Sequence, residues 1–191
     1  MLQSQNSMIV NVEFYNNNII KNKAYSHNNR TYNILNYDRA YVCNNDYENS
    51  KYRSLVISFP EKKLLCFSCP KSITFDSFIT KYPVLDSEIL VNDIIEGTMI
   101  NLFYDDRIQN WQIATKSAVG GNYWYFRNQY DNTEKTQKTF NEMFLEALGC
   151  ESINQLDFLN KNYCYSFVLQ HPDNHIVLQI ENPAVYLVAI Y

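Results

Sequence analysis

Two long apolar runs separated by a short polar segment constrain the fold of this chain more than any other feature. The runs cover residues 94–104 and 111–119, and residues 105–110 between them are mostly Asp, Asn, Gln and Arg. Strand-length apolar runs on either side of a short polar connection predict a β-hairpin. The chain should therefore contain an antiparallel sheet, because strands joined by so short a segment run in opposite directions.

The register of this hairpin follows from its turn. If Tyr104 faces Trp111 and no bulge intervenes, counting back along both strands places Lys116 opposite Met99. The polar end of the second strand would then lie beside the turn formed by Glu96-Gly97-Thr98.

Further short apolar runs predict more strands. Residues 54–59 and 64–68 flank a turn that begins with Pro60, which indicates a second hairpin. Residues 1–50 are poorly defined, because Asn-rich pieces interrupt their apolar runs. The other strand-like runs are residues 8–14, 32–35, 163–170, 176–180 and 184–191.

One segment has the period of a helix instead. Its apolar residues recur at spacings of three and four, and Gly149 follows them as a stop signal. This predicts a helix over residues 133–148, with a shorter one at residues 152–159 and one helical turn between residues 70 and 83. Strands, a helix and strands in that order predict a mainly antiparallel α+β domain.

Composition limits the classes of function. With 191 residues, 46% of them apolar, the chain is long enough for one domain, residues 1–191. A formal net charge of −4 argues against a protein that wraps duplex nucleic acid without specificity, although it allows a local basic groove. No run reaches the roughly 20 apolar residues of a membrane span, so we expect a soluble protein in the cytoplasm of its cell or host. Heavy use of Asn, Ile, Lys and Tyr is typical of AT-rich genomes, viral ones included.

Several sites of known chemistry are absent or weak. The spacing of zinc ligands occurs in Cys66-x2-Cys69 and in His171-x3-His175. The two pairs lie too far apart in sequence for a zinc finger. We therefore predict that the cysteines are buried thiols, that the histidines belong to a polar turn, and that no metal is bound. Neither phosphate-binding glycine motif occurs, which excludes P-loop and Rossmann sites. No G-x-S-x-G elbow supports a serine hydrolase.

Four segments in order carry a family resemblance. Arg53 opens one apolar strand, and Pro70-Lys71 ends the next. Glu96-Gly97-Thr98 then leads into a strand, and Thr115-Lys116-Ser117 stands at the end of the strand after it. Pro172-x-Asn174 follows an apolar run later in the chain, before the apolar residues 185–191.

Together these segments resemble RNA ligases of the phage T4 RNA ligase 1 type, which are ATP-dependent covalent nucleotidyltransferases. The resemblance covers residues 51–191 and implies a ligase-type nucleotidyltransferase (ATP-grasp-like) domain that joins or repairs RNA ends. In such enzymes a lysine attacks the α-phosphate of ATP, and the AMP it then carries is passed to an RNA 5′-phosphate. Magnesium ions and basic side chains offset charge at the transferring group.

The sequence departs from the family pattern at several positions. Ile94 occupies the place of the lysine in K-x-[DE]-G, Val168 that of a carboxylate, and His175 that of an arginine. The acidic-Gly and K-x-K motifs would lie after Tyr191, and residues 185–191 end in a strand without a turn. We therefore expect the domain to continue, or a second chain to complete the site.

What the resemblance implies for this chain is a nucleotide-binding face for ATP and magnesium, with RNA as partner. Lys116 is also a substitute candidate for the missing nucleophile, and the aromatic residues 123–126 with Arg127 could stack bases. Three interpretations stay open: an active ligase-like enzyme, an inactive pseudo-ligase that binds nucleotide or RNA ends, and a structural domain without a ligand. In the structural domain, Glu96-Gly97 would be an ordinary turn that leads into a strand, and Lys116 would be an ordinary exposed lysine. The implied nucleotide-binding residues are Arg53, Lys71, Glu96, Gly97 and Lys116.

Overall fold

The computed structural model describes residues 18–43, 46–84, 86–87, 89–124, 138–174 and 177–191. Within that part the chain forms two four-stranded antiparallel sheets and a few short helices. The strands are β1 (Ile20–His27), β2 (Arg30–Tyr37), β3 (Leu55–Phe59), β4 (Leu64–Cys66), β5 (Thr98–Asp105), β6 (Asn110–Ala114), β7 (Tyr165–Gln170) and β8 (Ala184–Ile190). The helices are α1 (Tyr47–Ser50), α2 (Phe75–Lys81) and α3 (Phe140–Leu148).

The first sheet has the strand order β1-β2-β3-β4 and is built from two hairpins. Asn28 and Asn29 join β1 to β2 with positive φ angles of 50° and 57°. A two-residue turn with positive φ at both positions matches the twist of a hairpin, and asparagine tolerates that conformation better than most residues. The predicted hairpin of β3 and β4 is confirmed.

The second sheet has the order β6-β5-β7-β8. Tyr104 faces Trp111, as predicted, but β6 ends at Ala114. The backbone then turns back, since Thr115 N–H bonds the Ala118 carbonyl at 2.9 Å. The predicted pairing of Lys116 with Met99 is therefore wrong.

Helix α3 covers one face of the second sheet. Thr139 and Glu142 form a capping box at its start, and Gly149 ends it in a left-handed conformation. Phe140 and Phe144 lie in the core beneath it. The helix thus begins at residue 140, later than the predicted residue 133, and residues 133–137 lie outside the described part.

A second apolar layer fills the space between the sheets. Tyr32 of β2 and Val56 of β3 are fully buried there with Phe103 of β5. Successive strand residues point to opposite faces, so β5 supplies Leu102 to the layer under α3 and Phe103 to the layer between sheets.

The remaining differences from the sequence predictions concern short segments. Residues 177–180 are not a strand, residue 176 lies outside the described part, and so do residues 8–14. Only the 3₁₀ turn Ile153–Leu156 forms in the predicted helix 152–159. No helix of the described residues is long and apolar enough to cross a membrane.

Candidate functional site

Arg53 and Lys116 meet where the two sheets are tied together. Arg53 precedes β3, and Lys116 lies in the turn after β6. The Nδ2 of Asn36 in β2 donates to the carbonyl oxygens of Arg53 at 2.9 Å and of Lys116 at 2.5 Å. Ser54 Oγ adds a link to the carbonyl of Thr115 at 3.3 Å. The position of Lys116 is therefore fixed by the first sheet rather than by its own hairpin.

A third cation, Arg39, joins them from the turn after β2. The Lys116 ammonium lies 5.1 Å from the ring centroid of Tyr37. Burial lowers the pKa of Lys116, the positive charges of Arg39 and Arg53 lower it further, and Asp38 partly opposes them. We call Arg39, Arg53 and Lys116 the basic surface. An anion bound there would relieve the repulsion among these cations.

The basic surface is suited to phosphate groups. Guanidinium groups bind phosphate oxygens in a bidentate manner, and an ammonium adds a compact positive charge. The nearby Asp38 carboxylate is held by Lys21 Nζ at 2.6 Å. Across the described ranges, no group of three or more His, Cys, Asp or Glu residues could hold a metal ion.

Lys71 lies against the segment that precedes α1. Its Nζ donates to the carbonyl of Val42 at 3.2 Å, and its backbone N–H donates to the carbonyl of Ser50, the last residue of α1, at 2.9 Å. It also helps to lower the pKa of Asp46, after the hydrogen bonds that Asn49 donates to that carboxylate.

Glu96 and Gly97 directly precede β5 and lie next to the end of β7. The Glu96 carboxylate accepts backbone hydrogen bonds from Val177 at 2.8 Å and Leu178 at 2.9 Å. Gly97 has a φ of 156°, and a Cβ there would lie 2.4 Å from the carbonyl oxygen of Leu169. These contacts give both residues a local structural role, and their nucleotide-binding role stays a prediction.

The structure also brings two of the resembling motifs together. Asn174 Nδ2 donates to Thr98 Oγ1 at 2.8 Å, so the late Pro172-x-Asn174 segment contacts the Glu-Gly-Thr segment. Val168 pairs with Met99 in the sheet. Ile94, at the place of the expected lysine, is 98% exposed. His175 lies outside the described residues.

The other candidate residues have packing or hydrogen-bonding partners. His171 is buried with its Nε2 3.2 Å from Glu146, and Cys69 Sγ accepts a hydrogen bond from Tyr191. Tyr123 packs edge to face on Phe140, whereas Trp124 is partly exposed. Residues 125–127 lie outside the described part, so their base-stacking role stays a prediction.

Sequence reasoning missed Arg39 and Asn36. Arg39 is one charged residue within residues 1–50, whose sequence pattern is poorly defined. Asn36 is one of many asparagines in the same part of the chain. Only the fold places them beside Arg53 and Lys116.

Comparison with known proteins points in the same direction as the motifs. No protein-family model matches the chain. The chain is 31% identical over 97 residues to an RNA ligase of Rhodothermus phage RM378. The matched residues are 50% of this chain but 21% of that ligase, so the chain corresponds to a small part of its relative. This similarity supports an RNA-ligase-like relationship at the level of the family, and the α+β fold with two antiparallel sheets is compatible with a ligase-like domain.

Proposed function

We propose that this chain is an RNA-ligase-like nucleotidyltransferase domain whose basic surface binds the phosphates of ATP. The observation that carries the proposal is that Asn36 holds the backbones of Arg53 and Lys116 together, with the charge of Arg39 close enough to act on the Lys116 ammonium. The similarity to a phage RNA ligase supports RNA ends as the second substrate, in joining or repair.

The side chains of the basic surface would offset the charge of the polyphosphate. The two guanidinium groups orient phosphate oxygens, and bound magnesium supplies further positive charge when the nucleotide brings it. Ile94 has no atom that could attack the α-phosphorus, so position 94 contributes no covalent step. Ile94 therefore favours the alternative, in which the chain binds nucleotide or RNA ends but transfers no AMP.

A covalent function for Lys116 is a second candidate, favoured by its lowered pKa. A larger fraction of the amine is then uncharged near neutral pH and able to attack. Its nitrogen would form a bond to the α-phosphorus, the bond to pyrophosphate would break, and the amine would lose a proton to solvent.

Binding measurements test the main proposal. We expect Arg53→Ala and Lys116→Ala each to weaken binding of ATP with magnesium about tenfold, because each removes a charge-assisted contact. Lys161→Ala is the matched control, since Lys161 is an exposed lysine that pairs with Asp157 and lies over the ring of Tyr104, at the opposite end of the β5–β6 hairpin from Lys116. Calorimetric titration would measure all three. Equal affinities in the three variants would contradict the proposal.

Intact mass after incubation with ATP and magnesium separates binding from transfer. A gain of one AMP that Lys116→Arg abolishes would support the covalent candidate. Binding without a gain would support the pseudo-ligase, and in that case Ile94→Lys tests whether the family nucleophile restores labelling. No gain and no shift in melting temperature would favour a structural domain.

A further inference from the structure

Two cysteines that are distant in sequence meet between the sheets. Cys66 is the last residue of β4 in the first sheet, and Cys164 directly precedes β7 in the second. Their Sγ atoms lie 3.6 Å and 3.4 Å from the same acceptor, the carbonyl oxygen of Phe67. Both side chains are buried, with Cys66 1% and Cys164 7% exposed. The two thiols therefore share one small site that bridges the sheets.

The surroundings of the two thiols differ. The neighbouring Cys66 thiol and a hydrogen bond from the Phe67 N–H, whose nitrogen lies 3.3 Å from Cys164 Sγ, outweigh burial and lower the pKa of Cys164 to about 7. Burial raises the pKa of Cys66. Cys164 therefore has the lower pKa of the two thiols, and the thiolate is the reactive form of a cysteine.

The Cys66-x2-Cys69 spacing would suggest a different pair, but the structure gives Cys69 another partner. Tyr191 OH donates to Cys69 Sγ at 3.3 Å, and the Tyr191 ring packs on Phe67 with centroids 4.9 Å apart. Phe67 and Tyr191 thus fix the end of β8 against the end of β4. The thiol that shares an acceptor with Cys66 is Cys164.

We propose that Cys66 and Cys164 form a reversible dithiol site that a hydroperoxide oxidises to a disulfide joining the two sheets. The Cys164 thiolate attacks the peroxide, an S–O bond forms and the O–O bond breaks, and the departing oxygen takes a proton from solvent, which releases water or an alcohol and leaves a sulfenic acid. The Cys66 sulfur then attacks that sulfur, the S–S bond forms and the S–O bond breaks, and the thiol proton leaves with the hydroxyl as water. Both sulfurs are oxidised and the peroxide is reduced.

The disulfide would stabilise the fold. It closes a loop of about 100 residues, which is a large restriction of the unfolded chain. It also links the sheets on which the residues of the basic surface are mounted. Oxidation should therefore raise the melting temperature of the whole chain rather than loosen it.

Treatment of the full chain with hydrogen peroxide tests the site. We expect a loss of two hydrogen atoms in the intact mass, a disulfide between Cys66 and Cys164 in a non-reducing peptide map, and a melting temperature higher by about 5 °C or more. Dithiothreitol should reverse all three changes.

Serine variants give the matched comparison. Cys66→Ser and Cys164→Ser should each abolish the rise in melting temperature, whereas Cys43→Ser, which removes an exposed thiol, should retain it. If the buried variants fail to fold, the peptide map of the unmodified chain decides. A disulfide between Cys66 and Cys69, or oxidation of Cys164 to a sulfinic acid without a disulfide, would overturn the proposal.

Discussion

Gly97 stands where the close approach of β5 to β7 leaves no room for a side chain. A Cβ at this position would lie 2.4 Å from the carbonyl oxygen of Leu169 and 2.7 Å from Val168 Cγ1, and its φ of 156° is one that L-residues rarely adopt. We expect Gly97→Ala to reduce the free energy of unfolding by about 2 kcal/mol or more, because the backbone must shift. Urea denaturation would measure this loss.

Gly149→Ala is the matched control for this prediction. Gly149 also has a positive φ, 70°, but a Cβ there has nothing within 4 Å. Its substitution should cost only about 1 kcal/mol, from the left-handed backbone at the end of α3. Equal losses in the two variants would show that close packing adds nothing at Gly97.

Single residues also show how far the sequence could identify the candidate site. Arg53 and Lys116 were predicted individually from their motifs, but their proximity depends on Asn36, which bonds both carbonyls from another strand. That contact joins residues far apart in the chain, so no local pattern encodes it. The predicted position of Lys116 failed for the same reason, because it assumed that β6 continues past Ala114.

At the scale of elements, the sequence predicted what local patterns specify. The two later hairpins and α3 have apolar periods and turn or cap residues of their own, and all three were found. The hairpin of β1 and β2 was not predicted, because asparagines among residues 1–50 indicated only interruptions of the apolar runs, whereas Asn28 and Asn29 form its turn. Strand ends were also missed, because pairing with neighbouring strands sets them.

A network of charges joins the turns of all three hairpins. Arg30 Nη2 lies 3.2 Å from Glu61 Oε2, Arg107 pairs with the same carboxylate, and Arg30 Nε lies 2.5 Å from Asp105. Burial raises the pKa of Glu61, but hydrogen bonds from its own backbone N–H, Arg30 and Arg107 bring it down to about 2. Its pKa in the unfolded chain is about 4.3. The carboxylate therefore stabilises the fold above about pH 5, and this stabilisation is lost as the pH falls towards 2.

Glu61→Gln tests this network. Because the carboxylate is partly exposed, we expect a loss of about 1 kcal/mol or less at pH 7, and this difference from the unchanged chain should shrink between pH 5 and pH 2. Thermal melts across that range would measure it. Glu48→Gln is the control, since Glu48 pairs with Lys51 at the surface. A constant difference at all pH values would mean that the charge of Glu61 is not what stabilises the turns.

At the scale of the whole molecule, the predicted α+β class was correct, but the packing of one sheet on the other was not predictable from sequence periods. An apolar residue in a strand shows only that one face of that strand is buried. Which residue it meets is decided by contacts between distant segments, such as Tyr32 with Phe103, whose ring centroids lie 6.1 Å apart. The layer between the sheets is therefore the feature that makes the two halves depend on each other.

Phe103→Ala tests that dependence. Phe103 is fully buried between the sheets, so its loss should reduce the free energy of unfolding by about 3–5 kcal/mol. The layer contains residues of both sheets, so the two sheets should unfold together. Tryptophan fluorescence reports on the second sheet through Trp111. It should therefore follow the same transition as far-ultraviolet circular dichroism, which reports on all of the secondary structure. Phe158→Ala removes a ring that is 79% exposed and should cost less than about 0.5 kcal/mol. Two separate transitions in the unchanged chain would show instead that each sheet is stable without the other.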